Sequence, residues 1–542
     1  MSVGSLATDD LRGPLSGRRA GLTGAIATPT FAMVAALTAL AAVLRFYGIG
    51  HQGFWFDEAN TALLVHFSPG KMLGLIPQSE STPPLYYCAA WVWARIFGDG
   101  EAGLRSLSAL AGVLVVPVAY GVAAKLVARR AGVIAAALTA CNPLLIWYSQ
   151  EARSYELLVL LTGLSLLAFV YARAAPTTCV LVLWVLAAAA ALATHYYAAL
   201  AVVPQAVWLL VVHRDRRGVR IAVGIVAVCG LALIPLAASQ NGTGHDSWIA
   251  SAALWPRLRQ IIPQFLIGTN APERKLVKYV AYALVVVALG LLAVRARPAE
   301  RREPLVAGGL ALGGFALGLV LVVAGFDDLI TRNILALWLP AAVMVAGALA
   351  LPRARIAGTA VAVGLCAIGV FATVGIAADR SLQRPDWRYV ARALGIEARA
   401  GTAAATGPPA TTAAGAGRLR ASTGAGRAIL IQHYGDLLPL SLYLPHLQTF
   451  SAPERVTEVD VISMVSPQQP LCWWGAACNL IPSQMQRRYD IPGFRIVSRR
   501  HVLQFTILRM VARRPVRLTR AEVARSLHTT SLRRDKLIYQ RR

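Results

Sequence analysis

The chain has 542 residues, of which 56% are hydrophobic and 15% charged, with a mean hydropathy of +0.56. A soluble protein carries nearer a quarter charged residues, so a wholly water-soluble fold is excluded. The formal net charge of +27 comes from 53 Lys and Arg against 26 Asp and Glu. Most of the cations stand between apolar blocks, which reads as membrane topology rather than nucleic-acid binding.

The N-terminal stretch 1–24 is basic, with Arg12, Arg18 and Arg19. The apolar block that follows, Ala25–Gly48, is too long for a signal-peptide core and reads as an uncleaved first helix. Windowed apolarity then predicts about eleven spans, roughly Phe31–Gly48, Leu104–Val127, Gly132–Tyr148, Tyr155–Tyr171, Cys179–Tyr196, Ala198–Val212, Arg220–Ala238, Val277–Val294, Leu305–Phe326, Asn333–Leu351 and Ile356–Ala377. Arginines mark alternate short loops: Arg129 and Arg130, then Arg173, then Arg214 to Arg220, then Arg295 to Arg302, then Arg353 and Arg355. All fall on the side of the N-terminus, which is cytoplasmic under the positive-inside rule. The predicted architecture is an all-α polytopic bundle over 25–378 and an extracytoplasmic α/β or α+β domain over 379–542, in a cytoplasmic (inner) membrane with the N-terminus inside.

In the second domain, Asp386 is positioned to cap a short helix, and Trp387 and Tyr389 suit the membrane interface. The Ala/Gly/Thr-rich stretch 400–427 cannot bury a core and reads as a flexible insertion. Ala428–Gln432, Phe494–Val497 and Val502–Val511 are strand candidates, and the tail from Arg509 to Arg542 is a basic surface. Cys472 and Cys478, in Cys-Trp-Trp-Gly-Ala-Ala-Cys, form a disulfide candidate if that part is exported. No His pair stands near them, which disfavours a metal. The other cysteines, in or beside apolar segments, read as packing residues.

The chemistry gathers in the outer loops, chiefly 51–103 and 142–155. Phe54-Trp-Phe-Asp57-Glu58 places two acids among aromatics just after the first helix. Adjacent helical residues point about 100° apart, so one carboxylate can face a cavity while its neighbour holds local structure. Burial and the like charge of Glu58 would raise the pKa of Asp57 and suit it to general-base work. The alternative is a hydrated loop start.

Glu80-Ser-Thr82-Pro-Pro-Leu-Tyr86-Tyr87 fixes a rigid approach to an aromatic stretch. In Ser149-Gln-Glu151-Ala-Arg153-Ser-Tyr155, Ser149 could cap a helix with Glu151 in its first turn. Arg153 there opposes the helix dipole and needs an anionic partner: Glu151, a lipid phosphate or another acid. An interfacial pair is the alternative. Thr194-His195-Tyr196-Tyr197 offers a histidine for phosphate binding or for orienting a base, or simply belt residues. Arg332, after Asp327 and Asp328, is a phosphate-ligand candidate or the partner of those acids. No phosphate-loop, dinucleotide or zinc-type motif is present.

In their order these motifs resemble the polytopic C-type-fold glycosyltransferases, in the branch of protein O-mannosyltransferases and aminoarabinose transferases, and most closely bacterial mannosyltransferase-like membrane proteins. The likeness runs from about Ala25 to Ala377 and through Pro385-Asp-Trp-Arg and Leu438-Pro-Leu-Ser-Leu-Tyr-Leu. It implies an inverting transfer of a sugar, mannose or arabinose, from a polyprenyl-phosphate donor to a cell-envelope glycan, lipid or protein. Asp57, Glu58 and Glu151 become the catalytic candidates, and Tyr86, Arg153, Tyr155, His195, Tyr196 and Arg332 the substrate-binding ones. Beyond the lipid-linked donor and surrounding membrane lipid, no cofactor and no nucleic acid is called for; the sequence leaves a divalent metal open. Some relatives carry Lys before Pro-Pro where this chain has Thr82, so Arg153, Arg332 or His195 would have to meet the carrier phosphate. The competing classes are a secondary transporter, with ionisable residues at the bilayer midplane, and a lipid-binding membrane scaffold.

Overall fold

A computed structural model describes residues 29–399, 426–431, 437–444, 446–450, 453–464, 491–503, 505–526 and 536–540. The basic N-terminal stretch, Cys472, Cys478 and nearly all of the 400–427 insertion lie outside the described residues. Gly426 and Arg427 of that stretch are the exception: they open a fully buried strand.

The bundle follows from long apolar runs. Seven described helices are long and apolar enough to cross a bilayer: Pro29–Phe46 (α1), Glu101–Leu126 (α5), Tyr155–Ala174 (α8), a helical run over Arg217–Asn241, Arg274–Arg295 (α15), Pro298–Val323 (α16) and a run over Pro352–Ala378 whose main part is Arg355–Ala378 (α18). An eighth candidate is broken. Arg129–Cys141 (α6) and Pro143–Ser149 (α7) meet at 56°. The break has a local cause. Pro143 cannot donate the backbone bond that would continue α6, and the Asn142 side chain accepts from the amides of Leu144 and Leu145 to start α7.

Three further apolar helices, Thr178–Thr194, Tyr196–Val212 and Leu335–Leu349, are shorter. At 1.5 Å per residue each is about 26 Å long or less, under the ~30 Å of hydrocarbon. Every one of the eleven expected segments is therefore helical, but these three are shorter than a full crossing.

The bundle has two unlike ends. At one, the arginine-rich loops meet: Arg130 donates to the carbonyls of Leu351 and Arg355, Arg173 pairs with Glu303 at 2.6 Å, and His213 donates to the Arg173 carbonyl. The other, the site face, carries Phe56–Leu64 (α2), Pro69–Ser79 (α3), Leu85–Phe97 (α4) and the sheet domain.

That domain is a six-stranded mixed sheet in the order β2-β6-β1-β3-β5-β4, with β1 Gly426–Ile431, β2 Leu447–Thr449, β3 Glu454–Met464, β4 Phe494–Val502, β5 Phe505–Leu518 and β6 Lys536–Gln540. β1 and β3 are parallel and the other pairs antiparallel. Alternate residues of β1 face opposite sides. Ile429 and Ile431 meet Trp387, Leu394 and Leu440 of the helices Trp387–Arg399 (α19) and Leu437–Tyr443 (α20), while Ala428 and Leu430 meet Val459, Leu508 and Tyr539. Asp386 does cap α19, accepting from the Tyr389 amide. Trp387 is not interfacial: it is 2% exposed, its ring 4.7 Å from that of Phe505, because the sheet supplies an apolar face for it. Arg509 is likewise no part of a basic surface. It is buried in β5 and bonds Asp460 at 3.0 Å.

Candidate active site at the site face

A cavity of about 440 Å³ opens on the site face among the loops. Its floor is the start of α2. Asp57 and Glu58 lie in the first turn of that helix, and they part company as the helical spacing requires. Asp57 turns into the cavity, where its carboxylate accepts from Arg332 Nη1 at 2.8 Å. Glu58 turns inward and is fully buried. It accepts from Arg105 at 2.7 and 2.6 Å and from the Ala152 amide at 2.8 Å. Burial acts to raise its pKa, but Arg105, Arg384 and that amide outweigh it and hold the carboxyl below the usual range. The charge facing Asp57 is therefore a guanidinium, not the second carboxylate that adjacency in sequence had pointed to. Arg332 does not pair with its neighbour Asp327, which Arg257 takes at 2.7 Å.

Arg153 lines the cavity next to Asp57. Its partner is Glu80, at 2.8 Å, both nearly fully buried. Arg153 also donates to the Asp57 carbonyl at 3.3 Å, and Asn60 donates to Glu80 at 2.7 Å. Burial raises the pKa of Glu80, against the pull of Arg153. Nothing in the sequence around Glu80 signals its role. Arg153 lies 73 positions away, and only the fold pairs them. Thr82, where some relatives have Lys, lines the cavity and bonds the Tyr87 hydroxyl at 2.9 Å.

His195, Tyr155 and Tyr196 also line the cavity. His195 follows Thr178–Thr194 (α9), is 3% exposed and accepts the Tyr197 amide on Nδ1, so its proton sits on Nε2. Burial, with Arg153 and Arg332 adding to it, lowers its pKa to about 3. A neutral imidazole cannot be the cation that meets a phosphate; it is a hydrogen-bond donor at Nε2. Tyr196 donates to Gln240 at 2.6 Å. Trp248 and Asp328 complete the far wall, Trp248 with its ring centre 5.5 Å from the Arg332 guanidinium. Burial, then Asp246 and Asp327, raise Asp328 to about 6.

Besides Glu58, two expected residues stand outside the cavity lining. Tyr86 is fully buried behind it. Glu151 is not in a helical first turn: α7 ends at Ser149 and α8 starts at Tyr155, and Ser149 donates back to Leu145 rather than capping. Glu151 is fully buried in the intervening turn and accepts from Arg384 at 2.8 Å. Burial raises its pKa to about 7, with Arg384 opposing. Arg384, which sequence reasoning passed over, stands just before the Pro385-Asp-Trp motif. Among the described residues, no group of three His, Cys, Asp or Glu is placed to hold a metal ion.

Residues 81–239 match the family of dolichyl-phosphate-mannose-protein mannosyltransferases. No curated protein sequence is matched. Among solved structures, ArnT from Cupriavidus metallidurans in the apo state aligns with a TM-score of 0.51 and 14% identity, over 89% of this chain and 98% of that one. The same protein bound to undecaprenyl phosphate gives 0.49 at the same identity and coverage. The Archaeoglobus fulgidus oligosaccharyltransferase tethered to an acceptor peptide gives 0.42 at 11% identity, over 76% of this chain and 63% of that one. At these identities the likeness is one of fold. The chain is therefore a polytopic membrane protein of the C-type glycosyltransferase fold, whose residues 81–239 match a mannosyltransferase family.

Proposed function

We propose that this chain, a glycosyltransferase by its fold and family segment, moves one sugar, mannose or arabinose, from a polyprenyl-phosphate carrier to an acceptor outside the cytoplasmic membrane, with inversion. The observation that carries the reading is the meeting of Asp57 and Arg332 at 2.8 Å on one cavity wall, 275 positions apart in the chain. Transfer needs an anion that takes a proton and a cation that meets a leaving phosphate, and these two side chains supply both. The acceptor oxygen attacks the anomeric carbon from the side opposite the phosphate. Its proton passes to Asp57 as the bond to the phosphate oxygen breaks, and the phosphate leaves with its added negative charge. Arg332 is the phosphate ligand, since guanidinium matches phosphate oxygens in geometry and stays charged. Arg153 is held by Glu80 and shapes the wall. His195 offers Nε2–H to a sugar hydroxyl.

Glu58 and Glu151 are positioning residues in this scheme. Glu58 locks α2 to Arg105 and the Ala152 amide, and Glu151 locks the 150–153 turn to Arg384. The convergence of the arginine-rich loops on the end away from the cavity supports a cytoplasmic position for that end, and so an extracytoplasmic cavity.

The test is incubation of membranes holding the full chain with labelled polyprenyl-phosphate sugars. The wild-type protein transfers label, and Asp57→Asn lowers transfer by about 10²–10⁴-fold with carrier binding retained. Transfer by Asp57→Asn at the wild-type rate, or no transfer from any carrier by the wild type, overturns the reading.

A further inference from the structure

The last part of the chain is strongly cationic. From Arg487 to Arg542 it carries fifteen Arg and one Lys against three acids. The sheet register sorts the strand arginines by face, because residues directly opposite on paired strands point to the same side. Val456 and Leu518 turn to the face that packs on Ala428 and Leu430. Their neighbours Arg455 and Arg517, opposite each other across β3 and β5, therefore turn to the α19 face. Phe494 also packs on the Leu430 side, which puts Arg495 on the α19 face. Arg513 and Arg514 lie where β5 slips register against β3. All five arginines are exposed.

Among the described strand residues the acids are Glu454, Glu458 and Asp460. Glu458 and Asp460 are buried and bound by Arg427 and Arg509, and Glu454 stands opposite Leu518 on the other face. Like charges directly opposite each other destabilise a sheet. Cations on an exposed edge strand have an ordinary use, the blocking of edge-to-edge pairing, and β4 is such an edge. That use does not extend to Arg455 and Arg517, since β3 and β5 are interior strands.

The cationic patch stands away from the bundle. Leu503, at the turn between β4 and β5, lies with Ala377 at the end of α18. At the same end of the sheet, Leu440 of α20 packs on Ile431 and Ile462, and Leu438 and Leu442 pack against the α2 cluster. Eight positions separate Leu503 from Arg495, about 26 Å of strand. The headgroup region beyond the hydrocarbon is roughly 5–8 Å deep on each side.

We infer that the far end of the sheet is a docking face for an extended anionic glycan of the cell envelope, whose carboxylates or phosphates pair with Arg455, Arg495 and Arg517. Guanidinium forks match either group. Distance from the bundle sets lipid headgroups aside. A peptide docks on a sheet as an added edge strand, and one beside β4 would lie three strand spacings, about 14 Å, from Arg455 on β3. A chain lying across the strands reaches all three. The envelope as source rests on the extracytoplasmic position proposed above; the anion-binding face does not.

The test uses the full chain in phosphatidylcholine nanodiscs, with a fluorescent polyuronate as probe. Arg455→Gln/Arg495→Gln/Arg517→Gln removes three charges from the face. Arg214→Gln/Arg217→Gln/Arg220→Gln removes three from the arginine-rich end and is the control. Wild type and control bind the polymer alike, and bind its disaccharide at least ten-fold more weakly at equal uronate concentration. The face variant binds the polymer at least ten-fold more weakly than wild type. Arg455→Gln alone, which relieves the repulsion from Arg517, weakens binding and melts no lower than wild type. A lower melting temperature for it shows that Arg455 serves the fold and overturns its docking role. Equal weakening in face variant and control, or no binding of polyuronate by wild type, overturns the face. Tighter binding of polyglutamate or of anionic vesicles by that face overturns the glycan assignment. A reporter fused to the C-terminus that reads cytoplasmic overturns the envelope source. Sugar transfer enters none of these readouts, so failure of the Asp57 scheme is separately visible.

Discussion

Asp57 and Glu58 are neighbours in sequence and end in opposite environments, one facing a cation in a cavity, the other sealed against Arg105. Their separation was legible, because helix geometry alone demands it. Their partners were not, because each lies on an element distant in the chain. Glu80 shows the same limit: nothing near it in sequence announces Arg153. Removing one member of such a buried pair strands the other charge. Glu80→Gln should therefore destabilise the protein by about 3–5 kcal/mol, seen as a lowered unfolding midpoint in detergent, with Glu80→Gln/Arg153→Gln milder than Glu80→Gln alone. Glu151 gives a pH signature. Its pKa is raised by burial from 4.5 to about 7, so the folded chain holds this proton to higher pH than the unfolded one. Stability from this group is whole below about pH 4.5 and is lost as pH rises through about 7. The stability of wild type relative to Glu151→Gln should thus decline between about pH 5 and 8. A difference that stays level across that range would rule out titration of Glu151.

At the scale of elements, apolar runs announced the helices, while their lengths and breaks needed the fold. The residues Asn142-Pro143 were visible as a motif, yet the 56° bend they impose follows from capping bonds that only three-dimensional structure displays. Asn142 also donates to the Phe265 carbonyl at 2.8 Å, tying the bend to Leu254–Ile267. Asn142→Ala should cost about 1–2 kcal/mol by denaturant titration, the upper range of a lost cap. Helix contacts add a sharper contrast. A β-carbon at Gly369 of α18 would stand 2.1 Å from the Cys141 carbonyl oxygen, whereas one at Gly290 of α15 meets nothing within 4 Å. Gly369→Ala should push α18 off α6 and lower the melting temperature by several degrees. Gly290→Ala should leave it unchanged or raise it, as alanine favours helix by about 1 kcal/mol. Equal effects from the two would show that the α6–α18 approach is slack. Trp387 misled because an aromatic after a last span reads equally as a belt residue or as a core residue, and the sheet that buries it is written over a hundred positions of later chain.

Across the whole molecule, the sheet domain grips the loop that carries Asp57. The Gly53 amide donates to Asp386 at 3.0 Å and the Phe54 amide to the Tyr443 hydroxyl at 2.6 Å, while that hydroxyl donates to Glu101 at 2.8 Å. A β-carbon on Gly53 would lie 2.7 Å from Arg388 Cβ, so only glycine permits the approach. Tyr443→Phe keeps the packing and drops both bonds; transfer should fall about ten-fold, with the melting curve little changed, because small misplacements of reacting groups are costly. An unchanged rate would show that the grip is irrelevant to chemistry. This two-part organisation was legible from composition, but the grip was not, since it joins residue 54 to residue 443. The distance along the chain also sets a timetable for biosynthesis. When the ribosome has delivered the first loop, Asp57 stands without Arg332, and the loop beneath it without Tyr443. The nascent chain acquires a finished pocket only after its last helices and most of its sheet have emerged, so half-made copies are silent toward the carriers that surround them.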